Sequence, residues 1–216
     1  MKNRKIWVML VGLFTALTSG FMGTTLTFAE ENEASQTIEQ PSYISDFPNQ
    51  VGHWQDLVGT AEKKNDSAGL WIANTKQGTN LESVSINLDA REQSSGDLEL
   101  TFLYEGQSNF GLVFRGDKQK TSQWQSFAYN RDGRWQLGQP GGKWLTNIPG
   151  PTLLSGQQYK LLVRYDGKKI QTFLNDQLFY ENEEVHYPDG TSINDDWTGA
   201  VGIRLFGNLS KLNIIS

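Results

Sequence analysis

The residue types present restrict the chemistry before any element is placed. The 216-residue chain has no cysteine and two histidines, His53 and His186. A thiol nucleophile, a disulfide and a cysteine-based zinc site are excluded, and a histidine relay or His-rich metal site is disfavoured. No Gly-x-Ser-x-Gly elbow and no His-Glu-x-x-His pair occurs. What remains is the chemistry of arginine, carboxylate and aromatic rings. Residues 110–115, 159–165 and 201–206 alternate apolar and polar. In a strand, residues two apart share a face. Phe110, Leu112 and Phe114 then face one way, and Gly111, Val113 and Arg115 the other. Likewise Val201, Ile203 and Leu205 oppose Gly202, Arg204 and Phe206, and Lys160, Leu162 and Arg164 oppose Tyr159, Leu161, Val163 and Tyr165. A guanidinium holds five N–H donors in a fixed fork. Arg115 and Arg204, each with a glycine on the same face, suit a hydroxyl-rich ligand; the competing reading is a solvated ion pair.

Acceptors and rings complete such a site. Glu99, Thr101 and Glu105 fall on the outward parity of the strand before Arg115, and Asp117 follows it. A carboxylate accepts from hydroxyls while arginine donates; as a turn residue, Glu105 has an ordinary structural explanation as well. Sugar C–H faces stack on amphipathic rings. Trp124, Trp144 and Trp197 lie in or beside polar loops, whereas Trp54, Trp71 and Trp135 sit among strand-like residues and are assigned to the core. Tyr129 shares parity with Phe127 and is assigned to the core, which turns Ser126, Ala128 and Asn130 outward.

These residues need strands to position them. Alternating runs recur at 84–88, 98–102, 110–114, 125–129, 135–137, 159–165, 170–174 and 201–205. Turn residues separate them, including Asp132-Gly133, Asp166-Gly167 and Asn175-Asp176. Short strands at this spacing indicate an all-β sandwich or barrel. Asp166-Gly167 supplies the positive φ of a two-residue hairpin, and Asn175-Asp176 turns again, which gives a three-strand meander. Residues 183–197 form a long polar loop, a common seat of function on a β scaffold.

Residues 1–5 are positive, 6–17 are apolar, and a small residue, Ala29, precedes Glu30. This reads as a secretory signal peptide over 1–29; the apolar run is short against the roughly 20 residues of a membrane span. Residues 30–42 read as a disordered acidic leader and 43–216 as the sandwich domain. The formal net charge is −5, and −8 once Lys2, Arg4 and Lys5 are removed (16 − 24). Such a chain is poorly suited to nucleic acid or an anionic membrane surface. The expected location is extracellular, and absence of cysteine in an exported chain suggests a Gram-positive bacterium.

The order of the motifs carries a resemblance. FGLVFRGD (110–117) is followed by SFAYN (126–130), Asp132-Gly133 and Trp135-Gln136-Leu137, then LLSGQQYKLLVRYDGKKIQTFLNDQLFY and a closing TGAVGIRLFGNLSKLNI. Over roughly residues 46–215 this resembles the laminin-G/concanavalin A-like jelly rolls of secreted bacterial proteins. Within them it is most similar to carbohydrate-binding module family 66, the fructan-binding domain attached to levanases. The resemblance implies a two-sheet antiparallel β-sandwich with a ligand face on the concave side of one sheet. It implies a non-catalytic module that binds fructan or another exopolysaccharide through Arg115, Arg204, Glu105, Asp117, Asn130 and the loop tryptophans. A separate carbohydrate-active enzyme is then a natural partner.

Two other classes stay open. The same sandwich can serve adhesion or hold a protein. A glycoside hydrolase needs two carboxylates about 5–10 Å apart; the nearest run, Asp97-Leu98-Glu99, lacks the third acid of the jelly-roll glucanase pattern. No cofactor is required. Related jelly rolls hold structural Ca²⁺ through carboxylates and carbonyls, and Asp46, Asp195 and Asp196 are the candidates here, with a solvated acidic loop as the plainer explanation.

Overall fold

The computed structural model describes residues 53–66, 69–74 and 81–215. The signal peptide over 1–29, the leader over 30–42 and Asp46 lie outside the described residues. The fold is an all-β sandwich of two seven-stranded antiparallel sheets. Sheet A runs, edge to edge, β1 (Trp54–Val58), β4 (Glu82–Asn87), β13 (Ala200–Phe206), β6 (Asn109–Gly116), β7 (Gln125–Asn130), β8 (Arg134–Gln139) and β9 (Lys143–Ile148). Sheet B runs β12 (Gln177–Asn182), β11 (Lys169–Leu174), β10 (Gln157–Asp166), β5 (Gly96–Tyr104), β14 (Lys211–Ile214), β3 (Gly69–Ala73) and β2 (Glu62–Asp66). Of the sandwich or barrel that the alternation allows, the chain adopts the sandwich, the two-sheet antiparallel architecture that the resemblance implies.

The inward residues of the alternating runs form the core. Phe110, Leu112, Phe114, Phe127 and Tyr129 from sheet A meet Leu100, Phe102, Leu161 and Val163 from sheet B in one buried core. Trp54 and Trp135 join it. Trp135 stacks on Phe127 and its indole N–H donates to the Pro151 carbonyl at 2.9 Å. Trp71 departs from expectation. It is half-buried on the outer side of sheet B, where the Lys64 ammonium sits 5.3 Å from its ring. Its neighbours Leu70 and Ile72 carry the core contact of β3 instead.

The meander forms with one shift of register. Asp166 pairs with Lys169, so Gly167-Lys168 is the two-residue turn and Gly167 takes φ +54°. A glycine leading and an ordinary residue following is type II′ chemistry. Asn175 and Asp176 both adopt positive φ, 49° and 64°, as a type I′ turn demands. The unmarked strands are those without a strong alternation. β2, EKKND, contains no apolar residue and is a charged sheet edge, a usual defence of open edges.

Two core tyrosines set an alkaline limit. Burial pushes Tyr165 up to about 12, against the pull of the Arg115 cation, and burial pushes Tyr104 up to about 12 as well. Unfolded tyrosine ionises near pH 10. Between pH 10 and 12 the unfolded chain therefore sheds protons that the folded one keeps. Stability is unaffected by these groups below about pH 10 and should fall above it by up to about 1.4 kcal/mol per pH unit per tyrosine. Urea midpoints measured from pH 8 to 11.5 check this; a flat profile would contradict it.

Candidate functional site

The outer face of sheet A carries Arg204, and part of that face is filled by apolar side chains. Val84, Ile86 and Val113 on this face form a second apolar cluster with Leu57, Ala90, Ala200 and Trp124. Trp124 reaches it because residues 117–124 fold back over the sheet. The Asp117 N–H donates to the Gln123 carbonyl at 2.9 Å, and the Trp124 indole N–H to the Thr121 carbonyl at 3.1 Å. Gln55 anchors the loop by donating to the Lys118 carbonyl at 3.1 Å. Trp124 is thus buried rather than presented as a free loop ring.

Beside this cluster lies the candidate site. Cross-strand pairing sets Arg204 opposite Gly111 and Gly111 opposite Ala128. In the adjoining row, Val113 faces Ser126, Ser126 faces Gly138 and Gly138 faces Trp144. The strands between Arg204 and Trp144 therefore carry a floor of small side chains. Trp144 lies flat across Gly138: a Cβ there would meet its Cε3 at 2.2 Å. The Arg204 guanidinium carbon sits 4.2 Å from the ring centre of Trp144, 4.2 Å from that of Phe206 and 5.6 Å from that of Trp124. Its Nε donates to Glu82 Oε1 at 2.5 Å. Burial lowers the Arg204 pKa, and the Glu82 carboxylate opposes that shift. The result is a cation framed by aromatic rings, with a carboxylate at its side.

A methyl at Gly138 would also stand 2.5 Å from the Lys143 carbonyl. Gly138→Ala should therefore drive the Trp144 indole off the sheet at a cost of about 1–3 kcal/mol, the usual range for overpacking. Near-ultraviolet circular dichroism should lose tryptophan signal while the far-ultraviolet strand signal stays. An unchanged near-ultraviolet spectrum would mean the indole does not rest where described.

The other expected site residues scatter. Arg115 leaves the outer face. A shift in register between β13 and β6 and its own φ of +54° turn it inward, where it is fully buried beside Phe114 and Tyr165. It donates to the carbonyls of Ser94 (2.7 Å), Asn194 (3.1 Å) and Gly167 (2.7 Å) and to Gln125 Oε1 (2.9 Å). Arg115 pins three loops, a structural task. Burial lowers its pKa while Tyr165, Asp195 and Asp166 act the other way.

Glu99 and Thr101 lie on β5 in sheet B, because the chain crosses between sheets from β5 to β6. Glu105, in that crossing, pairs with Lys211. Arg164 pairs with Asp97 through two N–H···O contacts on sheet B, a solvated ion pair. Asp117 is tied into its own loop; the Gln119 backbone N–H holds its carboxyl below the usual range. It borders a polar cleft of about 350 Å³ shared with Glu92, Gln123 and Thr198. Asn130 stays on the outward parity and donates to the Arg134 carbonyl in its hairpin. Trp197 is half-buried in the loop before β13. Asp195 and Asp196 lie in the same loop, and no group of three or more His, Asp or Glu side chains able to hold a metal ion occurs among the described residues. Glu82 and Phe206 were missed by the sequence reading. Phe206 shares the outward parity of Arg204 on β13 without being assigned to the site, and only the pairing of β4 with β13 brings Glu82 there.

No family model matches the chain. Its architecture superposes on a Bacillus subtilis protein with a galectin-like fold, with TM-score 0.56 and 12% identity over 78% of this chain and 91% of that one. It also superposes on the carbohydrate-binding module CBM66 from Bacillus subtilis, with TM-score 0.52 and 16% identity over 74% of this chain and 94% of that one. The fold shared with these proteins is the jelly-roll β-sandwich. An endo-β-galactosidase from Clostridium perfringens shares the jelly roll at TM-score 0.53 and 9% identity, over 79% of this chain and 60% of that one. In sequence, the chain is 99% identical over its whole length to hyaluronate lyase HylB of Enterococcus faecalis, and it spans 22% of that protein.

Proposed function

We propose that this jelly roll is a non-catalytic glycan-binding module acting alongside a polysaccharide-degrading activity. The observation that carries the reading is the Arg204–Glu82 pair framed by Trp144 and Phe206 on the outer face of sheet A. Guanidinium donates to sugar oxygens, carboxylate accepts from sugar hydroxyls, and flanking rings receive C–H faces. Among the described residues the site offers a single carboxylate, Glu82, where hydrolysis of a glycosidic bond uses two. Hyaluronan is the first ligand to examine, because the near-identical relative bears the name of a hyaluronate lyase. Fructan is the second, because the motif order resembles the levanase-associated modules. A signal peptide over residues 1–29, as the sequence is read above, fits export to the polysaccharide outside the cell.

The test is a glycan array on the 216-residue chain, followed by titration calorimetry of the hits. Binding of hyaluronan or levan oligosaccharides is the expected result. A folded protein that binds no glycan on a broad array would overturn the reading and leave protein adhesion as the alternative.

A further inference from the structure

Two polar atoms on the floor of sheet A lack partners among the described residues: Ser126 Oγ and Arg204 Nη1. Both are shut away from solvent. A buried donor or acceptor left unpaired costs about 1–3 kcal/mol, so each such group calls for an explanation. The geometry locates them together. The Ser126 hydroxyl leans over Gly111, 2.4 Å from where a Cβ would stand, and Gly111 is the cross-strand neighbour of Arg204. Above them, Trp144 comes back across Gly138 from the edge strand β9 until its ring meets the guanidinium. Arg204 and Trp144 thus close a roof over β7.

The roof is unequal in its anchorage. Arg204 is held by Glu82 and two further rings. Trp144 is half-buried on a strand paired on one side only, just after the Gly141-Gly142 turn, where both glycines have open space around them. We infer that the Trp144 indole is a gate over a recessed subsite for one sugar hydroxyl, formed by Arg204 Nη1 and Ser126 Oγ. With the indole swung aside, the hydroxyl oxygen accepts from the Nη1 N–H and its proton is donated to Ser126 Oγ. The displaced ring is then free to stack on the sugar. The gate follows from the geometry alone; the identity of its guest rests on the glycan-binding reading.

Phenylglyoxal, which modifies accessible guanidinium groups, tests the gate without a ligand. Modification of Arg204 in the full chain is compared by peptide mapping with that of exposed Arg91 and Arg131. Arg204 should react about tenfold more slowly than either in the parent protein and within about threefold of them in folded Trp144→Ala, each tenfold step being about 1.4 kcal/mol of protection. Equal protection in both proteins, or none in either, overturns the gate. The subsite is tested by Ser126→Ala, which removes an unpaired hydroxyl and leaves the fold intact. It should weaken binding of a hyaluronan tetrasaccharide or a levan oligosaccharide about tenfold, read by tryptophan emission. Undiminished affinity overturns the subsite. If neither sugar binds the folded protein, the glycan reading and the guest fall together, and the modification rates still decide whether the gate exists.

Discussion

Arg115→Met should lower the stability of the sandwich by about 3–5 kcal/mol, because it strands several buried acceptors and each left unpaired costs about 1–3 kcal/mol. The guanidinium is fully buried, and its hydrogen bonds reach the backbone of three separate segments, at Ser94, Gly167 and Asn194. Methionine fills the aliphatic part of the space and donates to none of these carbonyls. Gln125 Oε1 loses its charged donor too, and the Gln125–Gln139–Tyr187 chain of hydrogen bonds behind it loses its anchor. Against a typical domain stability of about 5–15 kcal/mol, this is a large share. Arg115→Lys should recover little of it, because an ammonium is a compact point charge and cannot span acceptors in the directions a planar fork reaches. Urea unfolding measures the shift in midpoint at constant slope. A loss below about 1 kcal/mol, the range of exposed ion pairs, would show that the loops hold themselves.

Arg204→Met should do the reverse: abolish binding and spare the fold. Loss of the guanidinium should weaken glycan affinity at least about a hundredfold, since a charge-assisted hydrogen bond contributes about 1.5–3 kcal/mol and the ring-framed cation makes more than one contact. Stability should change by less than about 1 kcal/mol, because an apolar chain of similar volume replaces a desolvated charge among aromatic rings. The Glu82 carboxylate left behind is about one-third exposed and regains water. Titration calorimetry with hyaluronan or levan oligosaccharides, alongside urea unfolding, separates the two effects. Full affinity in a folded Arg204→Met protein would place the binding surface elsewhere on the molecule.

The contrast between these arginines shows what the sequence reveals and what it hides. Alternation correctly assigns Phe110, Leu112 and Phe114 inward and puts Gly111, Val113 and Arg204 on the opposite face. The same rule fails at Arg115, two residues past Val113, because a register shift and one left-handed φ reverse a side chain without any mark in residue type. Face membership also says nothing about sheet membership. Glu99 and Arg164 do point outward, but on the other side of the sandwich, because the chain crosses between sheets after Tyr104 and crosses back between β9 and β10. Trp124 sits in a polar loop by sequence and in an apolar cluster by structure, because its loop folds over the sheet rather than away from it. Glu82 becomes a site residue through a pairing between β4 and β13, separated by more than a hundred residues of sequence, and local patterns carry no trace of such a pairing, whereas Phe206 is on the right face by alternation and lacks only the partner that marks it.

The position of β14 has a further consequence for how the molecule is made. Residues 211–214 occupy the middle of sheet B, between β3 and β5. A chain emerging from the ribosome presents β3 and β5 long before the strand that joins them. Until then each keeps an unpaired rim of amide and carbonyl groups. The local meander β10–β11–β12 can assemble early, because neighbouring hairpins close cheaply. The sandwich itself is a late event, completed only when β14 slots in. The sandwich therefore stays incomplete until residues 211–214 are available, and its open strands are exposed to mispairing if β14 is delayed.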